Sequence, residues 1–424
     1  MNSDKLLEGY DLENLTIASL GGHSALEVSL GAKKQGLKTC VVAKRGRERT
    51  YSQFLKTDED KSVGCVDEVI LVDEFSDILK PDVQKQLRAM NALFVHSRYF
   101  WVYFDDFAKV ENEFEVPILG SRELLRLEER DEKPNQYDVL KESGIRIPKI
   151  FEKPQFEIQS ESRPYLSVDD SNIDDPKIIF CGKEEFIPSN LCNAPPKNKK
   201  LFWMGCLTLT KINNAERTYE RENFISSSWI EWAETASKKI LMGEITAEDL
   251  RKATIEEFTL GAQVNFNFFY SPLSKRLELL GTDTRRQTNL DGWLRLPANE
   301  QLKLSERGAQ PLHIETGHIA ATVKESLLEK AYEAGMNFVE TTKKFDKAGR
   351  GIVGPFALQG AIETDGKAEE LIVFDVSFRI PGSPGISATP YSSYLFGRSV
   401  SMGERIAMEV QAGRMSGKLG EILS

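Results

Sequence analysis

The sequence predicts an α/β N-terminal open parallel sheet followed by α+β domains, and three observations carry that expectation. Up to about residue 120, short apolar runs alternate with amphipathic helical stretches, as a parallel sheet with crossover helices requires. Beyond residue 205 the apolar runs lengthen and cluster, with helices laid beside them, as in antiparallel layers. At 424 residues the chain exceeds one core of ordinary size, so two or three domains are expected.

Residues 15–20 and 37–43 read as the first two strands, joined by the turn Gly21-Gly22-His23-Ser24 and a helix over 25–35 that Gly36 closes. Residues 66–72 and 92–95 read as two more strands, separated by a helix over 82–90. Helices are predicted at 122–130 and 136–143, the second stopped by Gly144, with Pro148 barring continuation. Residues 153–200 are rich in Pro, Asn, Ser and Asp and read as an insertion or mobile surface element. Strands follow at 202–211 and 224–226, then helices at 228–241 and 247–252 leading into 254–260. The remainder predicts long strands at 263–270, 276–282, 352–361 and 370–379, with helices over 323–345 and 402–412. The expected division is 1–125, 126–258 and 259–424.

Hydrophobic residues at 40% and charged residues at 28% suffice for a buried core and exclude wholesale disorder. A net charge of −10 disfavours a general nucleic-acid binder, which needs a basic surface to displace counterions. The first nine residues carry Asp4, Lys5 and Glu8 rather than a secretory apolar core, and no apolar run reaches membrane-spanning length. The five cysteines form no CxxC pair, so free thiols in a cytoplasmic protein without a membrane partner are expected.

Four patterns suggest chemistry. The turn Gly21–Ser24 offers small residues and free amides at a helix N-terminus, where an anion is stabilised; it lacks the dinucleotide spacing, so a monophosphate or an empty turn are the two readings. Lys44, Arg45, Arg47 and Arg49 follow the second strand, and His96, Ser97 and Arg98 follow the fourth, at the edge where open α/β sheets bind ligands. Gln359 and Asp375 lie on two successive strands; if neighbours, an amide oxygen and a carboxylate converge on one hard cation, with Arg379 four residues on to meet phosphate. Glu256 and Glu257 end a strand before Gly261, either as ligands of a ribose or purine or as a plain charged strand end, and Lys211 ends another.

Together these residues resemble the ATP-grasp ligases, and within them the archaeal formate-dependent ligases that formylate aminoimidazole carboxamide ribotide. The matching text is Ala18–Ser24, Glu256-Glu257-Phe258 with Gly261, Asn265–Pro272, Glu278–Gly281, Asn289–Gly292, Thr316–Ile319, Gly354–Phe356 and Phe374–Arg379, spread over residues 10–150 and 205–415. The resemblance implies ATP-grasp architecture after the parallel sheet and ATP with Mg²⁺, or Mn²⁺ in its place, as cofactors. The substrates it implies are formate and the ribotide, and it suggests a homo-oligomer. It places the ribotide on His23, Ser24, His96 and Ser97, and ATP on Lys211, Arg217, Glu256 and Glu257. Metal falls to Gln359 and Asp375, with Arg379 and His318 at the reacting centre. The chain departs from the pattern at residues 213–221, where the loop after Lys211 holds no glycine, and at Asp375, where the family carries Glu. A sister ligase with another carboxylate or amine, and a nucleotide-binding protein without turnover, are the alternatives.

Overall fold

The computed structural model describes residues 6–99, 104, 107–153, 155–158, 164–169, 177–182, 203–212, 224–307, 309, 313–364 and 366–424. In the first sheet β1 (Thr16–Leu20) leads through helix α1 (Ala25–Lys34) to β2 (Lys38–Lys44), then to β3 (Glu68–Val72). Helix α2 (Pro81–Ala89), β4 (Ala92–Val95), helix α3 (Phe107–Glu113) and β5 (Ile118–Leu119) follow. All pair in parallel in the order β3-β2-β1-β4-β5. Both faces of β1 are buried: Ile17 packs in a cluster with Val28, Leu93 and Ile406, while Ala18 and Leu20 enter another with Val42 and Phe94. Double covering is what the near-continuous apolar strands require. The order reverses between β1 and β4, so their carboxyl ends open the crevice where such sheets bind ligands.

The helix expected at 122–130 reduces to one 3-10 turn, Leu125–Glu128. The buried Arg122 guanidinium donates to the carbonyls of Val110 at 3.1 Å and Ser424 at 2.9 Å, and Glu128 accepts from the Phe378 amide at 2.7 Å. These distant anchors hold the segment open where local propensity favoured a helix. Helix α4 (Gln136–Glu142) forms as expected behind its Asn135 capping box.

The chain forms two compact units, residues 1–147, 261–311 and 315–424 in one, 148–260 and 312–314 in the other. The second unit holds β6 (Ile150–Phe151), β7 (Gln155–Ile158), β8 (Pro164–Asp169), β9 (Lys177–Gly182), β10 (Trp203–Lys211) and β11 (Phe224–Ser228). It adds helices α5 (Trp229–Leu241) and α6 (Ala247–Lys252) and β12 (Thr254–Glu257). A four-stranded sheet runs β11-β10-β12-β6, its core built on Trp232, Ala236, Leu250 and Ile255. The stretch read as an insertion or mobile surface element contains a three-stranded sheet, β7-β9-β8. Its β-forming runs, such as Ile178-Ile179-Phe180, are short enough to be masked by the surrounding Pro and Asn.

The rest of the first unit comprises β13 (Ala262–Ser271), β14 (Arg276–Asn289), helices α7 (Leu290–Trp293) and α8 (Ala298–Glu306), β15 (His313–Ala320) and α9 (Glu325–Thr342). After these come β16 (Gly354–Thr364), β17 (Glu369–Ser377), α10 (Tyr391–Phe396) and α11 (Met402–Ser416). The strands form the sheet β15-β14-β13-β16-β17. β14 continues seven residues past its predicted end at 282, through Asp283, Arg285 and Arg286, because neighbouring strands supply the pairing that apolar alternation no longer signals. The parallel sheet followed by α+β layers is therefore present as predicted.

Helix α11 crosses α1 at a glycine pair. A Cβ on Gly31 would lie 2.1 Å from the Gly403 carbonyl carbon, and one on Gly403 would lie 2.2 Å from the Glu27 carbonyl oxygen. Gly403→Ala forces the helices apart and is expected to cost at least the upper end of about 1–3 kcal/mol, read as a lower urea midpoint at unchanged slope.

Candidate active site

On β13, Asn265 and Asn267 alternate with Phe266 and Phe268, so one face of the sheet is polar and the other is a stacked aromatic layer continued by Phe356 and Phe338. Cross-strand register aligns Asp283, Asn265, Gln359 and Asp375 in one row over β14, β13, β16 and β17. All four are buried, at 0%, 8%, 7% and 9% exposure, so each must be hydrogen-bonded inside the protein. Asp283 accepts from Asn265 Nδ2 at 2.9 Å and from Asn267 Nδ2 at 2.6 Å, and Gln359 Nε2 donates to Ser377 Oγ at 2.9 Å.

Gln359 and Asp375 thus face each other as predicted, but arginines hold their oxygens. Arg285 Nη2 donates to Gln359 Oε1 at 2.6 Å and lies 3.9 Å from Asp375 Oδ2; Arg130 Nη2 donates to Asp375 Oδ1 at 2.8 Å. Among the described residues no three His, Cys, Asp or Glu side chains converge as a metal cluster. A guanidinium stands where a divalent cation would need open oxygen ligands, so this donor set as folded does not fit Mg²⁺.

Arg379 is not on a strand face with Asp375, as expected from the sequence, because β17 ends at Ser377. Glu128 takes the Phe378 amide out of the ladder, and Arg379 turns into the interior, with Nε 3.4 Å from Glu128 Oε1 and Nη1 donating to the Ile380 carbonyl at 3.1 Å. Burial pushes the Glu128 carboxyl up, and Arg379 and Arg98 oppose that. The loop beyond Arg379 returns to the turn after β1: Ser24 Oγ donates to the Pro381 carbonyl at 3.0 Å, and His23 Nδ1 lies 2.8 Å from Ser24 Oγ. His23 takes a left-handed φ of 50°. A Cβ on Gly22 would lie 2.0 Å from the Tyr99 ring, so that close approach needs glycine.

His96, at the end of β4, is buried, with Nε2 3.4 Å from the Phe378 carbonyl. Burial pushes it down to about 4, the Phe378 bond opposes this, and Arg379 adds to it. Ser97 beside it is buried, and its hydroxyl has no hydrogen-bond partner among the described residues. His318 on β15 places Nδ1 2.5 Å from Asp283 Oδ2 and Nε2 2.7 Å from Glu315 Oε1. Burial opposes its charge, but the two carboxylates outweigh it and lift the imidazole to about 9. Burial likewise opposes the Asp283 charge, yet bonds from His318, Asn267 and Asn265 hold it below the usual carboxylate range. Because the His318 pKa is raised on folding, its contribution is full below the unfolded value near 6.5 and is lost as pH rises through about 9. The wild-type melting temperature is expected to fall across that window, and Asp283→Asn to flatten the slope.

His23, Ser24, His96, Ser97, Arg379, His318, Gln359 and Asp375 all lie in the first unit. Lys211, Glu256 and Glu257 lie in the second, where β10 and β12 pair Leu209 with Glu256 and the Lys211 ammonium is ion-paired to the buried Glu256 carboxylate. Arg217 and the glycine-free loop lie outside the described residues. The basic run after β2 is a solvated surface: Lys44 pairs with Glu74 and Arg45 with Asp73. Sequence reasoning assigned no role to Asp283, Arg285, Glu315, Glu128 or Arg130. The alternation Asn265-Phe266-Asn267-Phe268 was the available signal for a polar face. Of the five cysteines, Cys40 and Cys65 are buried free thiols, and among the described residues no helix is long and apolar enough to cross a membrane.

Two family models match, "Protein of unknown function (DUF1246)" over residues 17–151 and "Domain of unknown function (DUF1297)" over 231–424. The 5-formaminoimidazole-4-carboxamide-1-(beta)-D-ribofuranosyl 5'-monophosphate synthetase of Methanopyrus kandleri is 34% identical over 99% of this chain and 98% of its own. That of Methanocaldococcus jannaschii is 31% identical over 100% of both. In fold, the chain is similar to the IMP biosynthesis protein PurP from Thermococcus kodakaraensis (TM-score 0.62, 23% identity, covering 96% of this chain and 100% of that one). It is also similar to the ADP complex of purK, N5-carboxyaminoimidazole ribonucleotide synthetase (TM-score 0.51, 11% identity, covering 92% and 79%). With the ATP-grasp architecture in place and full-length identity above 30%, the chain belongs to the family of 5-formaminoimidazole-4-carboxamide-1-(beta)-D-ribofuranosyl 5'-monophosphate synthetases.

Proposed function

We propose that this protein is an ADP-forming carbon–nitrogen ligase of purine (IMP) biosynthesis. It uses ATP to activate formate as formyl phosphate and transfers the formyl group to the 5-amino group of 5-aminoimidazole-4-carboxamide ribotide. The observation that supports this best is the meeting of the β1 turn, the β4 end and the Arg379 loop at the carboxyl edge of the parallel sheet, in a chain that matches these synthetases end to end. The crevice offers what a ribotide requires: amides and the dipole at the start of α1, hydroxyls on Ser24 and Ser97, and the charges of Arg98 and Arg379. Catalysis here is chiefly positioning and electrostatics, because the phosphoryl and formyl transfers need their charges neutralised and their reactants held in line.

Segments 1–125, 126–258 and 259–424 are assigned to ribotide binding and to the small and large ATP-grasp domains. ATP falls to Lys211, Glu256 and Glu257 of the second unit, and to Arg217. Mg²⁺ or Mn²⁺ at Gln359 and Asp375 requires Arg285 and Arg130 to release those oxygens first. Assembly as a cytoplasmic homo-oligomer belongs to the same reading, as does the absence of a nucleic-acid partner. ADP release should require formate and the ribotide together. Release with a different carboxylate or amine would make this a sister ligase, and tight ribotide binding with no ADP formed would make it a non-catalytic binder.

A further inference from the structure

The chain has four histidines, and the hydrogen-bond partners of two of them require opposite protonation states. His318 sets each ring nitrogen against a carboxylate oxygen, Asp283 at 2.5 Å and Glu315 at 2.7 Å. Ionised carboxylates only accept, so both nitrogens must carry hydrogens and the ring is an imidazolium. Asp283 is kept ionised and in place by the two amide donors Asn265 and Asn267. His318 therefore has no lone pair with which to take a proton.

His23 is the converse. The Pro381 carbonyl only accepts, so the Ser24 hydroxyl spends its hydrogen there at 3.0 Å and must accept from His23 Nδ1 at 2.8 Å. Nδ1 thus carries the proton and Nε2 the lone pair. Nε2 looks toward Gly382, where a Cβ would stand 2.5 Å away. The charged groups facing the ring are Arg379 from the loop after β17, Arg98 from the end of β4 and the imidazolium of His318 from β15. Close-packed protein atoms and then these three cations hold His23 well below the usual histidine range. His23 nonetheless keeps solvent-reachable surface, as a residue that must meet a substrate does.

We propose that His23 Nε2 accepts the proton released when the ribotide amine attacks the formyl carbon, and that His318 is a fixed imidazolium positioned by Asp283 and Glu315. This rests on the ligase reading above. In the step, the amine nitrogen forms the new C–N bond and the C–O bond to phosphate breaks. The leaving phosphate keeps that electron pair, and one amine hydrogen passes to His23 and from it to the phosphate. Two titratable groups whose surroundings push them apart are the usual mark of such a division of roles.

Two measurements test it. In the full-length protein labelled with ¹⁵N-histidine, His318 should hold both ring protons from neutral pH up to about 9, and His23 should be neutral and protonated on Nδ1 at pH 7. Asp283→Asn should bring His318 into titration at lower pH. His23→Gln should lower kcat by about 10²–10⁴-fold, a larger factor than any change in ribotide Kd, and should remove the acid limb of the kcat profile. A His23 that is charged at pH 7, or protonated on Nε2, overturns the proposal, as does a wild-type kcat and pH profile in His23→Gln. Failure of the wild-type protein to form ADP from ATP, formate and ribotide would instead remove the ligase reading, and with it the proton transfer.

Discussion

Replacing Arg379 with glutamine is expected to lower kcat for ribotide-dependent ADP release by about 10²–10³-fold, the usual loss when one preorganised charge-stabilising group is removed from a water-poor site. Arg379 is 4% exposed, and its charge is felt at His23, His96, Glu128 and Glu315. Glutamine keeps the length and one donor but not the charge, so substrate anions and the developing negative charge on the leaving phosphate lose their buried partner. Without that cation His23 is easier to protonate, so the acid limb of the kcat profile should move to higher pH. Folding should survive better than catalysis, because Glu128 is already pushed toward its neutral form and keeps the Phe378 amide. A wild-type kcat in Arg379→Gln would remove this residue from the chemistry; an unfolded protein, seen by circular dichroism, would assign it a structural role.

Arg405→Leu is expected to give the largest stability loss, about 3–5 kcal/mol, because it leaves two buried carboxylates without their cation. Arg405 Nε lies 2.6 Å from Glu278 Oε2 and Nη2 3.2 Å from Glu278 Oε1, a bidentate pair, while Nη1 lies 2.8 Å from Glu409 Oε2. Its guanidinium stands 4.2 Å above the Phe269 ring, and Ser271 donates to Glu409 at 2.7 Å. The cluster fastens α11 to β13 and β14, with Arg405, Glu278 and Glu409 at 6%, 4% and 3% exposure. Urea unfolding checks the loss, and the triple replacement Arg405→Met, Glu278→Leu, Glu409→Leu should recover most of it, since no charge is then stranded. A single variant as stable as wild type would mean that the carboxylates find protons or water at little cost.

The legible parts of the fold are those governed by local pattern. β4 and α6 occur at their predicted bounds, and α1 and β2 within a residue or two, because apolar period and flanking glycines act over a few neighbours. The segment at 122–130 defied that logic because Arg122 and Glu128 bond to residues far along the chain. The end of β14 and the whole of β15 were missed for a related reason: their polar residues take strand form by pairing with neighbours that lie alongside only once five strands are assembled. In the candidate site, the positions of His23, Ser24, His96 and Ser97 at the carboxyl edge of the parallel sheet were legible because strand ends and glycine turns mark that edge. Arg285, Glu128 and Glu315 were not, since nothing in their local sequence distinguishes them from surface charges.

By itself, then, the sequence determined the family and the parallel sheet with its following antiparallel layers, and it singled out the turn, strand-end and paired-strand residues on which the proposed function draws. It could do so because period, turn residues and ordered motifs are local properties. Only the tertiary structure decided which charges meet: that guanidiniums hold Gln359 and Asp375, that Arg379 leaves its strand toward Glu128, and that His318 is clamped between two carboxylates while His23 is ringed by cations. Protonation and coordination depend on the few ångströms around a group, and those neighbours come from strands and loops that are remote in the chain.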